Sequence, residues 1–165
     1  MLIEGGDPVW VSTYFVWTEF LPQQPYWQQI TNFPIQPGDE VVVDVYIADA
    51  GKPPDLAGYF GQFFISNLTN GHFTTTYTPR GNTMVSGSGA EWIMERPSYS
   101  GGPSRLANYG LATMQGAMAS TPQGGDLDYQ GDNNRQFTMV NGSNTLSTVA
   151  PSGGTSMVFS WKAFL

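Results

Sequence analysis

Large and polar residues alternate along much of this chain, with the period of two that a half-buried β-strand requires. Residues 10–21 alternate in this way and predict a long strand. Residues 40–48 place Val41, Val43, Val45 and Ile47 on one face. Residues 59–66 and 73–78 flank a turn at Asn70-Gly71 and predict a hairpin. Residues 136–140 and 145–149 predict a second hairpin, and residues 157–164 a last strand. Residues 111–119 hold good helix formers, but Gly110 and Gly116 interrupt them, so this stretch is assigned to a strand. In residues 90–97, Trp92 and Met94 point one way while Glu91, Ile93 and Glu95 point the other, on a strand expected to be buried or half-buried. Trp92, Val43, Val45 and Phe159 are the expected core. Many short strands divided by turns predict an all-β chain, a sandwich or a barrel.

Composition narrows the function classes. The 165 residues suit one domain, 1–165, with no internal repeat or evident boundary. Asp+Glu outnumber Lys+Arg by 13 to 6, for a net charge of -7. That argues against nucleic acid, whose backbone needs a basic face, and against anionic membranes. Charged residues are only 12% of the chain, so few paired carboxylates stand to be lost in acid. Such sparse charge suits an acid-secreted protein and equally a neutral extracellular β-domain. There is no cysteine and a single histidine, His72, which excludes thiolate and multi-histidine metal centres. His72 follows a turn and is taken as a surface residue. Asp126, Asp128 and Asp132 do not match the spacing of an EF-hand calcium loop, and a solvated acidic turn is preferred. No metal or cofactor is expected. Two sequons, at Asn67 and Asn141, would matter only in a secretory setting.

The two glutamates of residues 90–97 are the leading candidates for chemistry, because a carboxylate among aromatics is costly unless paired, hydrated or used. An ordinary strand with solvent-facing glutamates explains the same pattern. Four residues of strand span roughly 13 Å. That is too far for a proton-sharing dyad at ~3 Å, and beyond the ~5–9.5 Å between glycosidase carboxylates. Either glutamate therefore needs a partner from elsewhere in the fold. Trp10, Trp17, Trp27, Trp92 and Trp161, with Tyr14, Tyr26 and Tyr59, could line a peptide groove, though large aromatics in a sandwich are more often core.

Glu91-Trp92-Ile93-Met94-Glu95-Arg96-Pro97 resembles the Glu-Trp-Ile-Val-Glu strand of the eqolisins, or glutamic peptidases, which are secreted acid endopeptidases. Trp17-Thr18-Glu19-Phe20-Leu21-Pro22 is similar to their Trp-x-Glu-x-x-Pro strand. Pro37-Gly38-Asp39 with Val41 to Val45 resembles their Gly-Asp turn and strand, and Asn67-Leu68-Thr69-Asn70-Gly71 their Asn-x-Thr-x-Gly turn. Leu106-Ala107-Asn108-Tyr109-Gly110 is similar to their Leu-x-x-Phe-Gly segment, and residues 156–164 to their closing strand. The first motif is specific. The others gain weight from their order, which runs from about residue 2 to the end.

The resemblance implies an antiparallel β-sandwich of legume-lectin-like, eqolisin type. It implies Glu95 as general base on a water and a glutamine whose amide stabilises the oxyanion. Glu91 would support, and Trp17, Trp92 and Glu19 would join it in contacting an unfolded protein or peptide substrate. The chain departs from the pattern at Leu2-Ile3-Glu4-Gly5-Gly6, where Glu4 stands in place of the glutamine. The family's opening strands have no counterpart, so the chain is expected to begin in mid-domain, with a second chain or self-association completing the sandwich. Three explanations remain open: a fragment of a longer precursor, a shortened homologue without catalysis, or an active variant. In the last, a protonated Glu4 gives the hydrogen bond normally given by the amide. The competing class is an inactive extracellular β-sandwich that binds peptide or glycan, or assembles through an exposed strand edge.

Overall fold

The structure, a computed structural model, describes residues 13–22, 24–47, 60–78, 89–96, 98–99, 101–120, 126–128 and 135–164. Every regular element among them is a β-strand, and every strand pair is antiparallel. Contacts group the chain into two compact units, Met1–Ser86 and Gly87–Leu165.

In the first unit, β1 (Trp17–Phe20) and β2 (Gln24–Gln29) form a two-stranded ribbon across a cis Leu21–Pro22 bond. Of the long strand expected over 10–21, the ladder holds Trp17–Phe20, and residues 10–12 lie outside the described residues. The second sheet has the order β3 (Val41–Ile47), β4 (Gly61–Asn67), β5 (His72–Tyr77). Its register sets Val43 opposite Ile65 and Ile65 opposite Thr74, so these share a face. The buried hydrophobic residues of this unit, among the described residues, are Phe20, Phe33 and Ile65. A Cβ at Gly61 would come within 3.2 Å of the Phe20 ring and 3.3 Å of the Thr78 methyl. The absent side chain therefore lets Phe20 lie close against β4.

Val43 and Val45, expected in the core, are each 57% exposed. Their alternation is real, but β3 lies at the edge of its sheet. Period two shows which side chains share a face, not whether anything covers that face.

The turn after β4 is built around a polar side chain. Asn67 is 0% exposed. Its Nδ2 donates to Pro34 O at 3.1 Å and to Asp39 Oδ2 at 2.7 Å, and its Oδ1 accepts from Thr69 N at 3.0 Å. Around it, Gln36 N donates to Asp39 Oδ2 at 2.9 Å, Glu40 N to Thr69 Oγ1 at 2.9 Å and Leu68 N to Glu40 O at 2.8 Å. This is the physical content of the Asn-x-Thr-x-Gly turn: one buried amide satisfies backbone groups of two separate loops. Both Nδ2 hydrogens are committed, so a glycan on the Asn67 sequon is incompatible with this fold.

In the second unit, β6 (Ser98–Tyr99) pairs with β7 (Gly102–Pro103), and β9 (Met118–Ser120) with β10 (Asp126–Asp128). The main sheet combines β8 (Leu111–Met114), β11 (Met139–Asn141), β12 (Asn144–Gly153) and β13 (Ser156–Trp161) in the order β11-β12-β13-β8. Residues 111–119 are extended as expected, in two short strands parted near Gly116. Ala112 and Met114 lie opposite Phe159 and Met157 on β13, and that packing overrides their helix propensity. Ala117, Met157 and Phe159 form the buried centre of the unit.

The Asn67 network yields a stability prediction. Asn67→Ala takes the acceptor from the Thr69 N–H and one of the two donors from each of Pro34 O and Asp39 Oδ2, and should cost about 2 kcal/mol, within the range for breaking a buried polar contact. Thr69→Ala, at an exposed position, should cost about 1 kcal/mol. Chemical denaturation of the two variants checks the order, and equal losses would show that the buried amide does not organise the turn.

Candidate active site

Residues 91–96 carry the alternation seen in the sequence. Glu91, Ile93 and Glu95 are exposed, while Trp92, Met94 and Arg96 are half-buried. Trp92 and Met94 pack against Ala117, Met157 and Phe159, together with Tyr109, Ala112, Met114 and Val149. The segment is thus held by every second side chain, and this packing turns both glutamates away from the core of the second unit.

Two expectations need correction here. The segment was expected to be a strand, yet residues 91–96 join no ladder among the described residues. The carboxylates were expected on a buried or half-buried strand, yet both are exposed. Water therefore solvates them, and the desolvation cost that singled them out is not what they experience. Among the described residues, neither makes a hydrogen bond or ion pair. The face that is costly to expose is the other one, and Trp92 and Met94 occupy it.

The remaining described candidates lie in the first unit. Trp17 and Glu19 alternate on β1 with the buried Thr18 and Phe20, so they share its outer face. Trp17 is 45% exposed and Glu19 is half-buried. Trp17 stands opposite Gln29 on β2, and the Phe15 and Trp27 rings meet at 5.6 Å with a 33° tilt. The described candidates therefore fall into two groups, Trp17 with Glu19 and Glu91 with Trp92 and Glu95. Glu4 lies outside the described residues.

Two features escaped the sequence. Phe15 and Trp27 form an exposed aromatic contact beside the Trp17 strand, with Trp27 on β2. The Tyr109 hydroxyl, where the family pattern has phenylalanine, bonds the buried Ser147 hydroxyl. A tyrosine replacing phenylalanine in a core segment is the signal that a polar partner must be nearby. No group of three or more potential metal ligands occurs among the described residues. Asp126 and Asp128 begin and end β10, and Asp132 lies outside the described residues.

A solved structure shares this architecture. The crystal structure of aspergilloglutamic peptidase from Aspergillus niger matches with a TM-score of 0.70 and 22% sequence identity, covering 88% of this chain and 78% of that chain. The fold is therefore the antiparallel β-sandwich of a glutamic peptidase. The model of the peptidase A4 family matches residues 1–161, and the chain belongs to that family, the eqolisins. No curated protein matches it. Family and fold together support a peptidase-like function.

Packing and chemistry separate cleanly in this segment. Trp92→Ala should lower stability by about 2 kcal/mol, less than the ~3–5 of a fully buried tryptophan. Glu95→Gln should change it by no more than about 0.5 kcal/mol, as for other exposed positions. Thermal unfolding of the pair checks this, and a strongly destabilised Glu95→Gln would mean that the carboxylate has a structural partner.

Proposed function

We propose that this chain is an acid endopeptidase in which Glu95 acts as general base. The observation that carries the proposal is the division of labour in residues 91–96: the indole and thioether of Trp92 and Met94 anchor the segment, and the Glu95 carboxylate is left open to water. A carboxylate so placed takes a proton from water as the water oxygen attacks a peptide carbonyl. The same carboxyl then returns the proton to the leaving amine as the C–N bond breaks. The oxyanion formed between these steps needs a donor. Glu4, at the place of the family's glutamine, fills that role when protonated. The substrate is an unfolded polypeptide, with Trp17, Glu19, Glu91 and the exposed part of Trp92 as its contacts. The setting is extracellular and acidic.

A second reading has its own support: the glutamate at position 4 removes the amide on which the family's oxyanion site depends. A chain without that amide would retain the sandwich and bind peptide or glycan, or assemble through a strand edge, without cutting.

Cleavage of an unfolded protein separates the two. The wild-type chain should cut in acid and not at neutral pH, and Glu95→Gln should abolish cutting, because an amide cannot accept the proton of water. Glu4→Gln should retain or raise activity, and Glu91→Gln should matter less. Full activity in Glu95→Gln would sink the assignment. An inert wild type with an active Glu4→Gln would identify a disabled site, and two inert proteins would favour the binding reading.

A further inference from the structure

The chain contains two Asn-Gly pairs, Asn70-Gly71 and Asn141-Gly142. Both lie at hairpin turns, the first between β4 and β5 and the second between β11 and β12. Their bonding differs sharply. Asn70 Nδ2 donates to Pro34 O at 3.1 Å, and Asn70 Oδ1 accepts from His72 N at 3.0 Å. Gly71 N donates to Asn67 O at 2.9 Å. The side-chain amide and the following backbone nitrogen are thus each held by another partner.

At the second pair, Asn141 is exposed and stands opposite Asn144 across a two-residue loop of Gly142 and Ser143. Gly142 has φ +57°, while Ser143 is not among the residues of positive φ. That places glycine at the first central position of a type II′ hairpin turn, where its N–H lies outside the ladder. Neither the Asn141 side chain nor the Gly142 N–H has a hydrogen-bond partner among the described residues. The space beside Gly142 is open, with no atom within 4 Å of where a Cβ would stand.

We propose that Asn141 is a self-modification site, converted through a cyclic imide to aspartate and isoaspartate. The Gly142 backbone nitrogen loses its proton and attacks Asn141 Cγ, and a new N–C bond forms as Nδ2 leaves as ammonia. Water then opens the ring at either carbonyl. Opening at one gives aspartate, and opening at the other gives isoaspartate, with the main chain rerouted through Cβ and Cγ. The balance is one water gained and one ammonia lost, with no other reactant. Asparagine is among the thermolabile residues, and its lability depends on this freedom of the next nitrogen. Either product adds a negative charge to a chain already at -7. Isoaspartate also lengthens the backbone at a turn whose register depends on its two-residue length. The adjoining strand, Met139–Asn141, is three residues long and, among the described residues, pairs only with β12. Its pairing is what the conversion would loosen.

The test uses the full chain made in a host without N-glycosylation, since a glycan on Asn141 would occupy Nδ2. The folded protein is held in mildly alkaline buffer below its unfolding temperature and followed by peptide mapping with isoaspartate detection. The Asn141 peptide should convert with time while the Asn70 peptide stays intact, and in urea both should convert. Gly142→Ala should slow the conversion, because a Cβ crowds the attacking nitrogen. Asn141→Gln should remove the modified peptide. Equal conversion at Asn70 in the folded protein would overturn the proposal. So would a folded Asn141 that stays intact over a time in which the urea-unfolded chain converts.

Discussion

The first unit depends on one side chain, the amide of Asn67. A fully buried asparagine stabilises only if its donors and acceptor are all used. Here the two donors bind a backbone carbonyl and a carboxylate of one loop, and the acceptor serves the turn of the hairpin itself. The start of β3 is thereby fixed against the end of β4, because Glu40 reaches Thr69 and Leu68 in the same cluster. The register that follows, Val41 opposite Asn67 through Ile47 opposite Gly61, begins at this junction. An apolar residue at position 67 could fill the volume, but it could neither accept from the Thr69 N–H nor donate to the Asp39 carboxylate. That requirement explains why a polar residue occupies the most buried place in the sheet.

The second unit is organised by the opposite device. Its centre is apolar, and the side chains of β8, β12 and β13 that share a face meet Trp92 and Met94 from a segment with no ladder of its own. An unladdered segment keeps its extended shape when every second side chain is held in a core. The glutamates are left in water as a consequence of where the apolar residues go. The Tyr109 and Ser147 hydroxyls satisfy one another at the margin of this core, so an added polar atom is accommodated without a void.

Much of this was legible in the residues. Alternation located β3, β4, β5, β11, β12 and β13, and glycine positions correctly argued against a helix over residues 111–119. Coverage was not legible. Phe159 is buried, Trp92 is half-buried, and Val43 and Val45 are exposed, although all four alternate in the same way. Burial depends on what packs over a face, which is a long-range property that a period-two pattern does not contain. The same limit applies at the candidate site. Which side of residues 91–96 carries the carboxylates was readable, but their exposure depends on a sheet contributed by residues some twenty to seventy positions downstream in the chain. The Phe15–Trp27 contact was hidden for a related reason, since it joins the residues just before β1 to β2 across a proline-containing turn.

In the proposed mechanism, Glu95 and the residue at position 4 would handle two halves of one chemical problem. A general base makes the nucleophile, but the tetrahedral intermediate collapses backwards unless its oxygen is stabilised. An amide supplies that hydrogen bond in either acid or neutral solution, because it does not ionise. A carboxyl group supplies it only while protonated, and once ionised it opposes the oxyanion by like charge. The base has the reverse requirement, since it accepts a proton only as a carboxylate. A pair of glutamates can therefore perform both tasks only if one is protonated while the other is not. Substituting glutamate for glutamine thus converts a donor that is always available into one that must share a pH window with its partner. On the proposed mechanism, that shared requirement separates a member of the family that cuts its substrate from one that only holds it.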